Sequence, residues 1–98
     1  NMAKNGFFTY KGRPFVRAGN IIYYGDLGED YVVMLQILST EKVKDLNMAK
    51  NVSVQLQLTS PTVPAQQRIV KRTEKTGLFN AMDIADIWLT RALSESKA

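Results

Sequence analysis

The stretch from Tyr31 to Ser39, Tyr-Val-Val-Met-Leu-Gln-Ile-Leu-Ser, limits the folds open to this chain more than any other. Read as a strand, it sends Tyr31, Val33, Leu35 and Ile37 to one face and Val32, Met34 and Leu38 to the other. Gln36 is the only polar residue before Ser39. A strand apolar on both faces is normally covered on both faces. One helix can cover one face of a small sheet. The second face then requires sheet curvature, a barrel interior or another subunit.

The neighbouring segments supply the sheet and the helix. Val52 to Thr59 alternates apolar and polar residues without a fault, the period of a strand with one dry and one wet face. Phe15 to Tyr24 reads as a hairpin around Gly19-Asn20, two residues that both tolerate positive φ. That register pairs Phe15 with Tyr24, Val16 with Tyr23, Arg17 with Ile22 and Ala18 with Ile21. Val16, Ala18, Ile21 and Tyr23 then share an apolar face, and Phe15, Arg17, Ile22 and Tyr24 a mixed one.

Phe7 to Tyr10 predicts a short strand ending at Lys11-Gly12, and Pro14 suits an edge or a strand start. Gly25 to Asp30 reads as a turn, and Thr59 to Gln67, with Pro61 and Pro64, as a loop. Glu41 to Asn51 reads as a polar connection with a helical turn around Val43 to Met48. Arg68 to Lys75 predicts the last strand, although adjacent Ile69 and Val70 spoil its alternation.

After Gly77 the period changes. Leu78, Met82, Ala85, Trp88, Leu89 and Ala92 follow helical spacing, widened by Ala81, Ile84 and Leu93. The helix is predicted to about Ser94, with a frayed tail over 95–98. Asn80 and Asp83 have the spacing of a capping box. The expected fold is α+β: a curved antiparallel meander of five or six strands, or a partly open barrel, with one C-terminal helix packed on it. Trp88, Leu89, Ala85 and Leu78 should meet the apolar face of Val52, Val54, Leu56 and Leu58 or that of Tyr31.

The stretches GNIIYYGD, YVVMLQILST and RIVKRTEK, followed by GLFNAMDIADIWL, resemble a family of short bacterial proteins of unknown function. The likeness runs from about Lys11 to Leu93. It implies a bacterial, cytosolic, stand-alone domain and carries no activity, ligand or catalytic residue.

Composition bears on chemistry. The 98 residues include no histidine and no cysteine, so the commonest metal ligand, the usual base near neutral pH and the thiolate nucleophile are missing. Folding at this size hides roughly 60–65% of the unfolded surface, enough for one core without metal or disulfide. The domain is expected to span 2–98, with Asn1 a leftover of cloning. No apolar run approaches the ~20 residues of a membrane span. With no export signal and no cysteine, a cytoplasmic location is expected, and neither a membrane nor a cofactor is implied.

Short patterns offer little. Ser39 to Lys42 matches S-x-x-K and Lys75-Thr76-Gly77 matches K-T-G, but the S-D-N element of serine β-lactamases is absent. Gly25 to Gly28 matches G-x-x-G, yet it lies between strands and among acids. Asp26, Glu29 and Asp30 lack the spacing of a calcium loop and read as a solvated turn. Asp83 and Asp86 are expected to favour the helix dipole from its first turns. Asn51-Val52-Ser53 is a glycosylation sequon without an export signal.

Two readings of function remain. The apolar excess of the middle strand points to a non-enzymatic binding or assembly module. Its expected partner is a second copy or another protein, met through Phe15, Ile22, Tyr24, Val32, Met34 and Leu38. The alternative rests on a net charge of +4 and on aromatics interleaved with bases. In it Lys11, Arg13, Arg17, Lys71 and Arg72 contact single-stranded nucleic acid, with Tyr10, Phe15, Tyr23 and Tyr24 as stacking surface.

Overall fold

In the computed structural model, which describes residues 8–96, strands run from Phe8 almost to Gly77 and a helix follows. The strands are β1 (Phe8–Tyr10), β2 (Arg13–Ala18), β3 (Ile21–Tyr24), β4 (Tyr31–Ile37), β5 (Thr40–Val43), β6 (Leu46–Ala49), β7 (Asn51–Leu58) and β8 (Ile69–Thr76). A short 3-10 turn, Ala65–Gln67, precedes β8, and α1 (Leu78–Ser96) closes the described chain. Six strands form one antiparallel sheet in the order β1-β2-β3-β4-β7-β8. The sheet is open, with β1 and β8 at its edges, and does not close into a barrel.

The register of β2 with β3 is the one expected, from Phe15 opposite Tyr24 to Ala18 opposite Ile21. Gly19 alone takes positive φ at that turn, at 61°, as a glycine-first hairpin requires. At the β1–β2 turn both Lys11 and Gly12 have positive φ. Phe7, expected to begin the first strand, lies outside the described residues.

Strand pairing decides which face each side chain joins. Tyr24 stands opposite Val33 and Ile22 opposite Leu35, while Val33, Leu35 and Ile37 stand opposite Leu56, Val54 and Val52. These residues form one buried layer, and α1 lies on it through Ala81, Met82, Ala85, Leu89 and Leu93. Trp88 and Leu78 pack at its margin, as the helical spacing predicts. Each fully buried aliphatic chain here, Leu35 or Leu89 for instance, contributes about 1.5–3 kcal/mol. Gly25 admits the helix closely. Its φ is 116°, a conformation that favours glycine, and a Cβ there would lie 2.9 Å from Leu89 Cδ2 and push that side chain aside.

Three local expectations are corrected. The segment after Glu41 is not a helical turn but the β5–β6 hairpin, a separate two-stranded ribbon. Its turn is Lys44-Asp45, with φ of 50° and 69°. The capping box does not form: α1 starts at Leu78, and Asn80 Nδ2 donates to the Thr76 carbonyl at 2.8 Å. Glu95 and Ser96 are helical rather than frayed, and the last two residues lie outside the described part.

The Ile69-Val70 irregularity has a structural cause. Leu56 pairs with Lys71 but Gln57 pairs with Ile69, so Val70 is the extra residue of a β-bulge. Val70 and Lys71 consequently both line a shallow groove beside Trp88 and Tyr31.

Candidate functional site

The helix side of the sheet carries a polar clasp between α1 and the β1–β2 hairpin. Tyr10 donates its hydroxyl to Asp83 Oδ1 at 2.7 Å, and Lys11 Nζ donates to the same atom at 3.1 Å. Arg13 Nη1 lies 2.8 Å from both Asp86 Oδ1 and Thr90 Oγ1. The buried Tyr24 hydroxyl lies 2.8 Å from Asp86 Oδ1 and from the Tyr10 carbonyl, and donates to one of them at a time. Asp83 and Asp86 therefore hold strands to helix; neither lies in the first turn of α1.

The clasp sets the local protonation. Burial, aided by the bond to Asp86, pushes the Tyr24 hydroxyl well above the usual tyrosine range. The hydrogen bond to Asp83 raises Tyr10 and Lys11. The bonds from Tyr10 and then Lys11 lower the Asp83 carboxyl. Lys11–Asp83 is exposed and adds little to stability; Arg13–Asp86 is half-buried and better shielded from water.

The five bases expected to meet nucleic acid do not converge. Lys11 and Arg13 are neutralised by the helix carboxylates. Arg17 Nε donates to the Gly19 carbonyl at 2.9 Å. Lys71 lies over the Trp88 ring, 5.6 Å from its centroid. Arg72 stands opposite Gln55 and so belongs to the other face of β8. Three strands separate β2 from β8, a distance of about 19 Å across the sheet. The stacking surface is not assembled either: Tyr24 is in the core, Tyr10 and Phe15 pack against it, and only Tyr23 points the opposite way.

The expected protein interface is likewise divided. Ile22 and Tyr24 are core residues beneath α1, and Phe15 packs against them, which removes all three from an exposed surface. The β3–β4 pairing is the reason, since it aligns Ile22 and Tyr24 with Leu35 and Val33. Val32 is on the face away from the helix but is only 3% exposed. Met34 is partly exposed on that face, and Leu38, just beyond β4, is open to solvent.

The face of the sheet away from α1 is built mainly from residues not chosen as interface. Val16, Ile21 and Tyr23 form its apolar half, with Tyr23 46% exposed. Buried Ser53 and half-buried Gln55 and Gln57 of β7, with exposed Arg72 and Glu74 of β8, form its polar half. Their grouping was present in the hairpin alternation; the missing knowledge was which hairpin face the helix takes. At one end, Pro14, Val16, Tyr23, Gly25, Asp26 and Leu27 line a pocket of about 360 Å³. Leu27, in the acidic turn, is 71% exposed.

At the other end projects the β5–β6 hairpin, every residue of it exposed except half-buried Ala49. Register puts Val43 and Leu46 on one side of this arm, with Lys42 and Asn47 on the opposite side. Thr40, Asn47 and Ala49 line a cleft beside the start of α1, and Met48 reaches into it as well. Three of these four residues belong to the side opposite Val43 and Leu46, which share the other side with Glu41 and Met48.

Among the described residues, no three carboxylates gather to hold a metal ion. Asp26 Oδ1 instead accepts from the Gly28 amide at 2.8 Å and braces its own turn. Ser39, of the S-x-x-K pattern, accepts from the Asn51 amide, and Gly77, of the K-T-G pattern, is the residue on which β8 ends and α1 begins. No helix among these residues is long and apolar enough to cross a membrane. No protein family, curated protein or solved structure matches the chain.

Proposed function

We propose that this protein is a non-enzymatic assembly module that associates with a second copy of itself through the open side of its sheet. The observation that carries this reading is the apolar half-face of Val16, Ile21 and Tyr23, which α1 leaves uncovered. Together with Leu27, Leu38, Val43 and Leu46, these side chains expose roughly 600 Å², taking about 150–200 Å² for each large apolar group when free. That area is spread along the length of the open side, and a standard interface hides about 800 Å² per partner. Partly exposed Pro14 and Met34 add further area to the same side.

Sedimentation velocity tests the reading. The unaltered chain should sediment as a dimer in the micromolar range. Tyr23→Lys and Ile21→Asp should each yield a monomer with unchanged circular dichroism, because both positions lie outside the core. A monomeric unaltered chain at these concentrations would overturn the proposal.

A further inference from the structure

The two ends of the open side differ in charge. The β3–β4 turn, Gly25 to Asp30, holds Asp26, Glu29 and Asp30 and no base. The arm and its root, Thr40 to Lys50, hold Lys42, Lys44 and Lys50 against Glu41 and Asp45. β4 begins at the acidic turn and leads to the arm, so the two charge groups sit at opposite ends of one ribbon. Thirteen steps separate Tyr31 from Lys44, about 43 Å of extended chain. The longest dimension of the molecule is 46 Å. Each end also carries its own apolar feature: the pocket of Pro14, Val16, Tyr23 and Leu27 at the acidic end, and Val43 and Leu46 at the tip of the arm.

We infer that two copies pair antiparallel about a two-fold axis near Leu38, each arm lying across the open face of the other chain. Resting on the proposed self-association, this fixes its geometry. The axis follows from the ribbon, whose midpoint between Tyr31 and Lys44 falls at Ile37 and Leu38. In this arrangement Val43 and Leu46 of one copy enter the pocket beside Tyr23 of the other. Lys44, in the turn of the arm, meets the second copy's Asp26 and Asp30. A parallel pairing would set the acidic turns of the two copies against each other, which electrostatic complementarity disfavours. The arrangement also covers the arm. A two-stranded hairpin alone in water is marginal at best, and this one has an apolar side with nothing of its own chain over it.

The absence of native cysteine makes the test direct. Leu38→Cys places one thiol near the axis, and mild oxidation should join most chains as disulfide-linked pairs. Ser94→Cys, on the far side of α1, should remain unlinked. Lys44→Glu and Asp30→Lys should each weaken self-association about tenfold, and a chain carrying both should recover most of it. Dimers that neither cross-link at position 38 nor recover in the doubly reversed chain would overturn this arrangement and leave self-association standing. A monomeric unaltered chain would overturn both. Circular dichroism identifies any variant that fails to fold, and the two reversals lie on exposed turn positions.

Discussion

Tyr24 shows how one side chain ties distant parts of the chain together. Its ring fills the layer under α1, while its hydroxyl reaches Asp86, 62 positions later. A phenol so placed resists ionisation, because the anion would lose water and face a carboxylate. Its pKa is higher folded than unfolded, so its contribution to stability is fully present below about pH 10, the unfolded value, and is lost above it. Urea unfolding should therefore show stability falling from about pH 10 upward. Tyr24→Phe should cost about 1–2 kcal/mol at neutral pH by breaking the hydrogen bond. The same variant should flatten the alkaline fall. A fall as steep in Tyr24→Phe as in the unaltered chain would place its origin in Tyr10 or Lys11, whose raised values have the same sign.

The element that most departs from expectation is the β5–β6 arm. Its turn uses Lys44-Asp45 at positive φ, where glycine or asparagine ordinarily advertises a hairpin. Its strands alternate over only four residues each, too few to outweigh the polar composition. The elements that were legible share a different property: their signal is local. Hairpin register from Phe15 to Tyr24, the alternation of β7 and the helical stripe of α1 all follow from near neighbours. The face chosen by the β2–β3 hairpin was not local. It depends on pairing across the six-residue turn before β4, whose length leaves either alignment open. The clasp was hidden for the same reason, since Asp83 and Asp86 find partners over seventy positions away. Because the arm shares little with the core beyond Ala49, it should be separable. Replacing Thr40 to Ala49 with a two-residue turn should leave the thermal midpoint within about 5 °C, the shift expected of ~1 kcal/mol in a chain of this size. The shortened chain should sediment as a monomer.

For the molecule as a whole, the decisive fact is that the helix-side core is complete within one chain. Obligate dimers bury about 2,000–5,000 Å² and often have no folded monomer, whereas the open side offers roughly 600 Å² of apolar surface per copy. Association and folding should therefore be separate equilibria. Trp88, the sole tryptophan, packs against the core on the helix side and reports folding rather than contact across the open side. Dilution through the micromolar range should lower the sedimentation coefficient while Trp88 fluorescence stays constant. Tyr23→Lys should give the lower coefficient at every concentration with the same emission spectrum. If Trp88 emission instead shifted to the red in step with dissociation, the core would need its partner to persist. Self-association would then belong to the folding of the domain rather than to a surface that one folded chain offers to another.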